Sequence, residues 1–213
     1  MTGSQTDFES LAAACRDRLT GAPREVCSAD AWLFARLVAA REVRGERALL
    51  GLPASALAAL AERHFAAGAL VLSTHEAVTL KDASHAAFVA AMRDFLIGLA
   101  ARNVDADDAR CLATILAHAC LRPDHLWRDL GLSGRDDVTQ MLTRFFPEVV
   151  ARNTENLRWK KLLARELALA RGDVPGPAPG CPGCEDFGFC FPSDPAANRT
   201  THRTTNRTTN PRS

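Results

Sequence analysis

The 213-residue sequence has no tyrosine, and its aromatic residues amount to 6 % of the chain. β-Branched residues are sparse in most segments, while alanine and leucine dominate. That balance disfavours an extensive sheet and favours helices. Long apolar runs are lacking as well. The longest, Phe65 to Leu72, falls far short of the roughly 18–20 residues that cross a bilayer. The first twenty residues carry Asp7, Glu9, Arg16, Asp17 and Arg18 and no continuous apolar stretch, so no secretory signal is expected there. Nor is charge of one sign in excess: 26 Lys+Arg against 25 Asp+Glu give a formal charge of +1. No global field therefore recruits nucleic acid or an anionic membrane. A glycine-rich phosphate loop is absent, and nothing assembles a nucleophile, a base and an oxyanion site, so the expectation is a soluble, cytoplasmic protein that is not an enzyme.

What the sequence does have is a concentration of thiols near its C-terminus. Cys181-Pro-Gly-Cys184-Glu-Asp-Phe-Gly-Phe-Cys190-Phe191 holds three of the seven cysteines, spaced C-x2-C-x5-C. In a cytoplasmic chain thiols stay reduced, and an odd number of cysteines with three clustered argues for metal ligation over a disulfide framework. Gly180, Gly183 and Gly188 give the backbone freedom to wrap a ligand, while Pro179 and Pro182 limit the entropy lost in doing so. The spacing by itself admits a zinc site, an iron–sulfur site or incidental thiols. Of the other cysteines, Cys15, Cys111 and Cys120 lie on helical stripes and read as small core residues, and Cys27 falls in a linker.

The rest of the chain reads as helices. Apolar residues at helical spacing predict helices over about 6–19, 29–43 with Ser28 before it, 53–68, 84–99 with Ser84 as cap, and a fifth opened by Asp105-Ala-Asp107-Asp108. The stretch 69–80 reads as extended chain or loop. Pro123 suits the start of a short helix that Gly131 ends, Ser133 caps the next, and a last long helix runs from about Thr154 to Arg171. A helix–turn–helix reading of 126–146 meets carboxylates (Asp136, Asp137) where phosphates would lie, so nucleic-acid binding is not expected. Arg158, Lys160, Lys161 and Arg165 read as a basic helix face, either solvated or able to attract an oxyanion. From Val174 the composition turns to Pro, Gly and Cys, and residues 198–213 repeat Asn-Arg-Thr-Thr with nothing apolar to bury. The expected architecture is mainly α: a single multi-helix domain over 1–173, a cysteine-rich loop over 174–192 and a disordered low-complexity tail over 193–213.

Read together, Arg122-Pro-Asp-His125-Leu-Trp127-Arg-Asp-Leu-Gly-Leu132, Phe146-Pro147, Asn153, Trp159-Lys-Lys161 and the cysteine cluster resemble the NifQ family, with the clearest match over about 110–192. The resemblance implies a carrier of a molybdenum–iron–sulfur cluster that supplies molybdenum for the nitrogenase iron–molybdenum cofactor. It also implies molybdate as metal source and the cofactor assembly proteins as partners. The family pattern is C-x4-C-x2-C-x5-C, whose leading cysteine would fall on Gly176. Only Cys181, Cys184 and Cys190 match. Three thiolates suffice for a 3Fe–4S-type cluster, one per iron, and an open corner could hold molybdenum with exchangeable ligands. His125 and His118 are candidates for an additional ligand, against the plainer reading of hydrogen-bonded core histidines. The alternative to the cluster is a structural zinc site in an interaction module, built from the three cysteines and one histidine.

Overall fold

The structure, a computed structural model, describes residues 3–22, 24–72 and 76–192. Among them every regular element is helical. Helix α1 (Gly3–Thr20) packs along α2 (Ala29–Val43), which starts where the Ser28 side chain accepts the Ala31 N–H at 3.0 Å. Helix α3 (Ala54–His64) is followed by irregular chain through the described parts of 69–80. Helix α4 (Ala83–Gly98) is capped by Asp82, two residues earlier than the Ser84 expected, because that carboxylate takes the backbone N–H groups of both Ser84 and His85. The expected disordered tail, 193–213, lies outside the described residues.

Helix α5 (Ala106–Ala119) is the axis of the core. Asp105 caps it by accepting from Asp107 N and Asp108 N, as its acidic opening predicts. Asp108 itself is buried and held by Arg63 at 2.7 Å and His64 at 2.6 Å, which ties the first turn of α5 to the end of α3. Leu112, Ala113, Leu116 and Ala117 are fully buried and join one continuous apolar cluster with Phe34, Leu57, Met92, Leu96, Phe145 and Leu163. Cys111 and Cys120 belong to that core, and burial pushes their thiols up to about 11 and about 12 respectively.

Beyond α5 the chain folds back in short pieces: α6 (Leu126–Asp129), α7 (Arg135–Phe145) and α8 (Pro147–Ala151), then the long α9 (Trp159–Arg171). Gly131 ends α6 with φ 68°, and a Cβ there would lie 2.0 Å from Ala40 Cβ, so glycine is required for two reasons. In the acidic first turn of α7, Asp136 is exposed and Asp137 is partly buried and engaged within the protein. Asp137 accepts from Arg36 at 2.6 Å and from Ser133 N at 2.9 Å. Helix α9 begins at Trp159 instead of Thr154 because Asn153 takes the Leu157 N–H with its side chain and Asn156 adopts φ 54°, a turn that a helix cannot contain.

Gly51 gives the fold a testable tight point. Its φ is 70°, and a Cβ would sit 2.1 Å from His118 Nδ1. Left-handed backbone costs an alanine about 1–2 kcal/mol and the clash about as much again. Gly51→Ala should therefore lower stability by about 3 kcal/mol in urea unfolding. Gly45→Ala, with φ 67° but nothing within 4 Å of the added carbon, should lose only the backbone share. Equal losses would show that His118 yields freely.

Candidate metal centre

Three stretches far apart in sequence meet at one end of the helical frame: the turn after α5, the first turn of α9 and the cysteine-rich loop. A buried polar hub fixes the first two. Lys160, 5 % exposed, gives its ammonium to Asp129 Oδ2 and to Arg122 O, the latter at 2.7 Å. Arg122 Nε bonds Asp129 Oδ1 at 3.2 Å, and both Arg122 and the buried Arg41 donate to Asp129 O. The basic face read from the sequence is thus divided. Arg165 pairs with Glu155 on the surface, whereas Lys160 turns inward and Lys161 donates to Cys190 O.

The loop lies directly on this frame. Gly180 N donates to Cys120 O at 2.9 Å, and a Cβ at 180 would fall 2.1 Å from Arg122 O. A Cβ at 183 would fall 2.5 Å from Pro123 Cβ. Both glycines are therefore there for close approach. The loop then makes a tight turn over Cys181–Gly183 and a single helical turn, α10 (Phe187–Cys190), where the sequence suggested no regular helix. Ion pairs hold the segment between the cysteines. Arg158 meets Asp186 at 2.7 Å, Arg128 meets Glu185 at 2.9 Å, and His125 Nε2 lies 3.3 Å from Glu185 Oε1 and 3.5 Å from Asp186 Oδ2.

Cys181, Cys184 and Cys190 line one small cavity together with His125, Trp127, Trp159, Phe187 and Phe191. His118 does not line it; its ring packs at Gly51, and Nδ1 donates to Thr114 O at 3.0 Å. Burial lowers its pKa, so it stays neutral in the core. Burial pushes the Cys181 and Cys190 thiols up, opposed at Cys181 by Lys160 and at Cys190 by Lys161. The cavity measures about 50 Å³, room for roughly three or four waters. Among the described residues no three His, Cys, Asp or Glu side chains converge closely enough to hold one metal ion. One polar group in its wall has no protein partner: the indole Nε1 of Trp159 is buried without a hydrogen bond. A buried donor left unpaired costs free energy comparable to a lost hydrogen bond.

Sequence comparison bears on this region. A family model described as NifQ matches residues 32–192, a wider span than the 110–192 in which the resemblance is plainest. The Protein NifQ homolog of Sinorhizobium fredii is 42% identical over 100 residues, covering 46% of this chain and 44% of its own length. Protein NifQ of Azotobacter vinelandii is 39% identical over 90 residues, 42% of this chain and 46% of the relative. Protein NifQ of Klebsiella pneumoniae is 38% identical over 85 residues, 39% of this chain and 51% of the relative. The chain spans about half the length of the curated relatives it matches. No solved structure matches it significantly.

The hub makes a quantitative expectation. Removing one partner of a buried ion pair costs about 3–5 kcal/mol, because the other charge is left desolvated. Lys160→Met should therefore lose about that much in urea unfolding. Lys161→Met, which gives up a bond to one loop carbonyl, should lose about 1 kcal/mol or less. A Lys160→Met loss no larger than that of Lys161→Met would mean that Asp129 is satisfied without the lysine.

Proposed function

The chain belongs to the NifQ family, and from that membership we propose that it carries a molybdenum–iron–sulfur cluster on Cys181, Cys184 and Cys190 and hands molybdenum to the machinery that builds the nitrogenase cofactor. It acts as a carrier and donor, not a catalyst. The observation that carries the reading is the meeting of all three thiols on one cavity wall beside the unpaired Trp159 indole N–H. The cluster is cargo here. Soft thiolates suit iron–sulfur assemblies, with one thiolate for each of three irons.

This chain's own residues would do the following. Each thiol gives up its proton as it takes metal, so loading releases protons. Lys160 and Lys161 stand close enough to Cys181 and Cys190 to favour the thiolates. Trp159, whose buried N–H has no partner, and Phe187 and Phe191 belong to the same wall, where they would meet the cargo. His125, in the same wall, is the histidine positioned to offer a further ligand, and His118 is not. The cavity has to widen to take such cargo. Widening would break the ion pairs of Glu185 and Asp186 and the Lys161 bond to Cys190 O, and no sheet or long helix.

Metal content separates the cluster reading from a structural zinc site. Tetrahedral zinc needs four donors about 2.0–2.3 Å from one point, whereas a cluster spreads its thiolates over separate irons. Anaerobically purified protein should be brown and contain iron and sulfide, with molybdenum when molybdate is supplied. Stoichiometric zinc without iron or sulfide would overturn the reading. Cys184→Ser should lose most of the iron while Cys15→Ser keeps it, and equal losses would mean the thiol site is misplaced.

Gly176 supplies a gain-of-function arm. Nothing lies within 4 Å of a carbon added there, and its φ is not left-handed. Gly176→Cys should fold with unchanged stability and release its iron more slowly to a chelator than wild type. A release rate identical to wild type would show that position 176 does not reach the cargo.

A further inference from the structure

Between the second and third thiols the chain is bonded to itself. Phe187 N donates to Cys184 O at 3.0 Å, Cys190 N to Asp186 O at 2.9 Å and Phe191 N to Phe187 O at 2.8 Å. Among the described residues no backbone–backbone hydrogen bond joins 184–191 to the helical frame. Phe187 and Phe191, with ring centroids 5.3 Å apart, are partly buried against the core. Apolar contact of that kind is non-directional. It seats the segment without deciding where the two thiols stand.

Side chains of the frame supply the direction. Lys161 donates to Cys190 O. Arg128 pairs with Glu185 but is shared with Asp124, and both of its contacts are well exposed to screening water. Arg158 differs in touching the segment twice. Its guanidinium meets Asp186 at 2.7 Å, and its Cζ lies 5.9 Å from the centroid of the Phe189 ring. Asp186 follows Cys184 closely and Phe189 immediately precedes Cys190, so the arginine holds the segment beside each thiol. Its own backbone is fixed, because Arg158 O accepts from Leu162 N at 2.9 Å at the start of α9.

We propose that Arg158 is a positioning residue of the thiol site, setting through Asp186 and Phe189 where Cys184 and Cys190 stand, while the docking of Gly180 places Cys181. This role rests on the reading that the three thiols form one site, but not on what they bind. Arginine suits the task, since its planar fork holds a carboxylate in a fixed direction while its face is turned to a ring.

The test is the alkylation rate of each cysteine in the metal-free full chain, read by iodoacetamide labelling and mass spectrometry. Arg158→Leu and Asp186→Asn should each speed Cys184 and Cys190 by about threefold, the size expected for one partly exposed ion pair. Cys181 and the buried Cys111 and Cys120 should keep their wild-type rates. The double variant should react no faster than Arg158→Leu alone, because both changes break the same link. Arg158→Lys, which keeps the charge without the fork, should fall between wild type and Arg158→Leu. A direct field on the thiol predicts another pattern. Arg158 favours the Cys190 thiolate and Asp186 opposes it, so a field alone would move Cys190 in opposite directions in the two variants. That opposition would overturn the inference, as would unchanged rates, additive effects, or equal acceleration of Cys120. Iron content tests the cargo separately: a chain that binds no iron yet shows the predicted rates would sink the cluster reading and leave the role of Arg158 standing.

Discussion

The end of the molecule that bears the thiols rests on one buried carboxylate. Asp129 receives Lys160 on one oxygen and Arg122 on the other, while its carbonyl takes Arg122 and Arg41. Those donors come from α2, from the turn after α5 and from α9, so a single residue on a four-residue helix joins three parts of the frame. A charge taken out of water at that depth is tolerated only when every lone pair is satisfied, and here the neighbouring cations supply the partners. The same network fixes the carbonyl of Arg122 by way of Lys160. Against that carbonyl Gly180 lies too close to carry a side chain.

The thiol loop therefore has two kinds of attachment. Its start is pinned by backbone contact at Gly180 and Gly183, whereas Cys184 to Cys190 is held by side-chain ion pairs, by one helical turn and by the bond from Lys161 to Cys190 O. Close packing positions Cys181, and polar contacts position Cys184 and Cys190.

Much of the fold was legible from periodicity and caps. Ser28, Asp105 and Gly131 stand where the structure uses them, and the stripes of α2, α4, α5 and α9 are the buried ones. What escaped was tertiary. Lys160 sits in a run of basic residues, and its inward turn depends on Asp129, 31 positions earlier. Helix α9 starts late because Asn153 satisfies Leu157, a local competition that hydrophobic spacing does not register. For the site, the thiol spacing was plain, but that His125 rather than His118 reaches the cavity required knowing how the turn after α5 folds back. Nor does any spacing mark Arg158 as the partner of Asp186, because the two lie on separate elements. Family likeness was plainest where tryptophans and cysteines mark the chain. The match extends back to Trp32 through Ala- and Leu-rich helices whose residues are individually unremarkable.

The docking of Gly180 onto Cys120 and Arg122 also carries a consequence for the order of assembly. Those contacts close a span of about sixty residues that contains α6 to α9, so the loop cannot settle until that part of the frame exists. During synthesis the N-terminal helices and the core around α5 emerge first, and the three clustered thiols come last. They reach a frame already formed. Until Gly180 docks, Cys181 lacks the burial that the settled loop gives it, so the reactivity of that thiol depends on how far folding has gone.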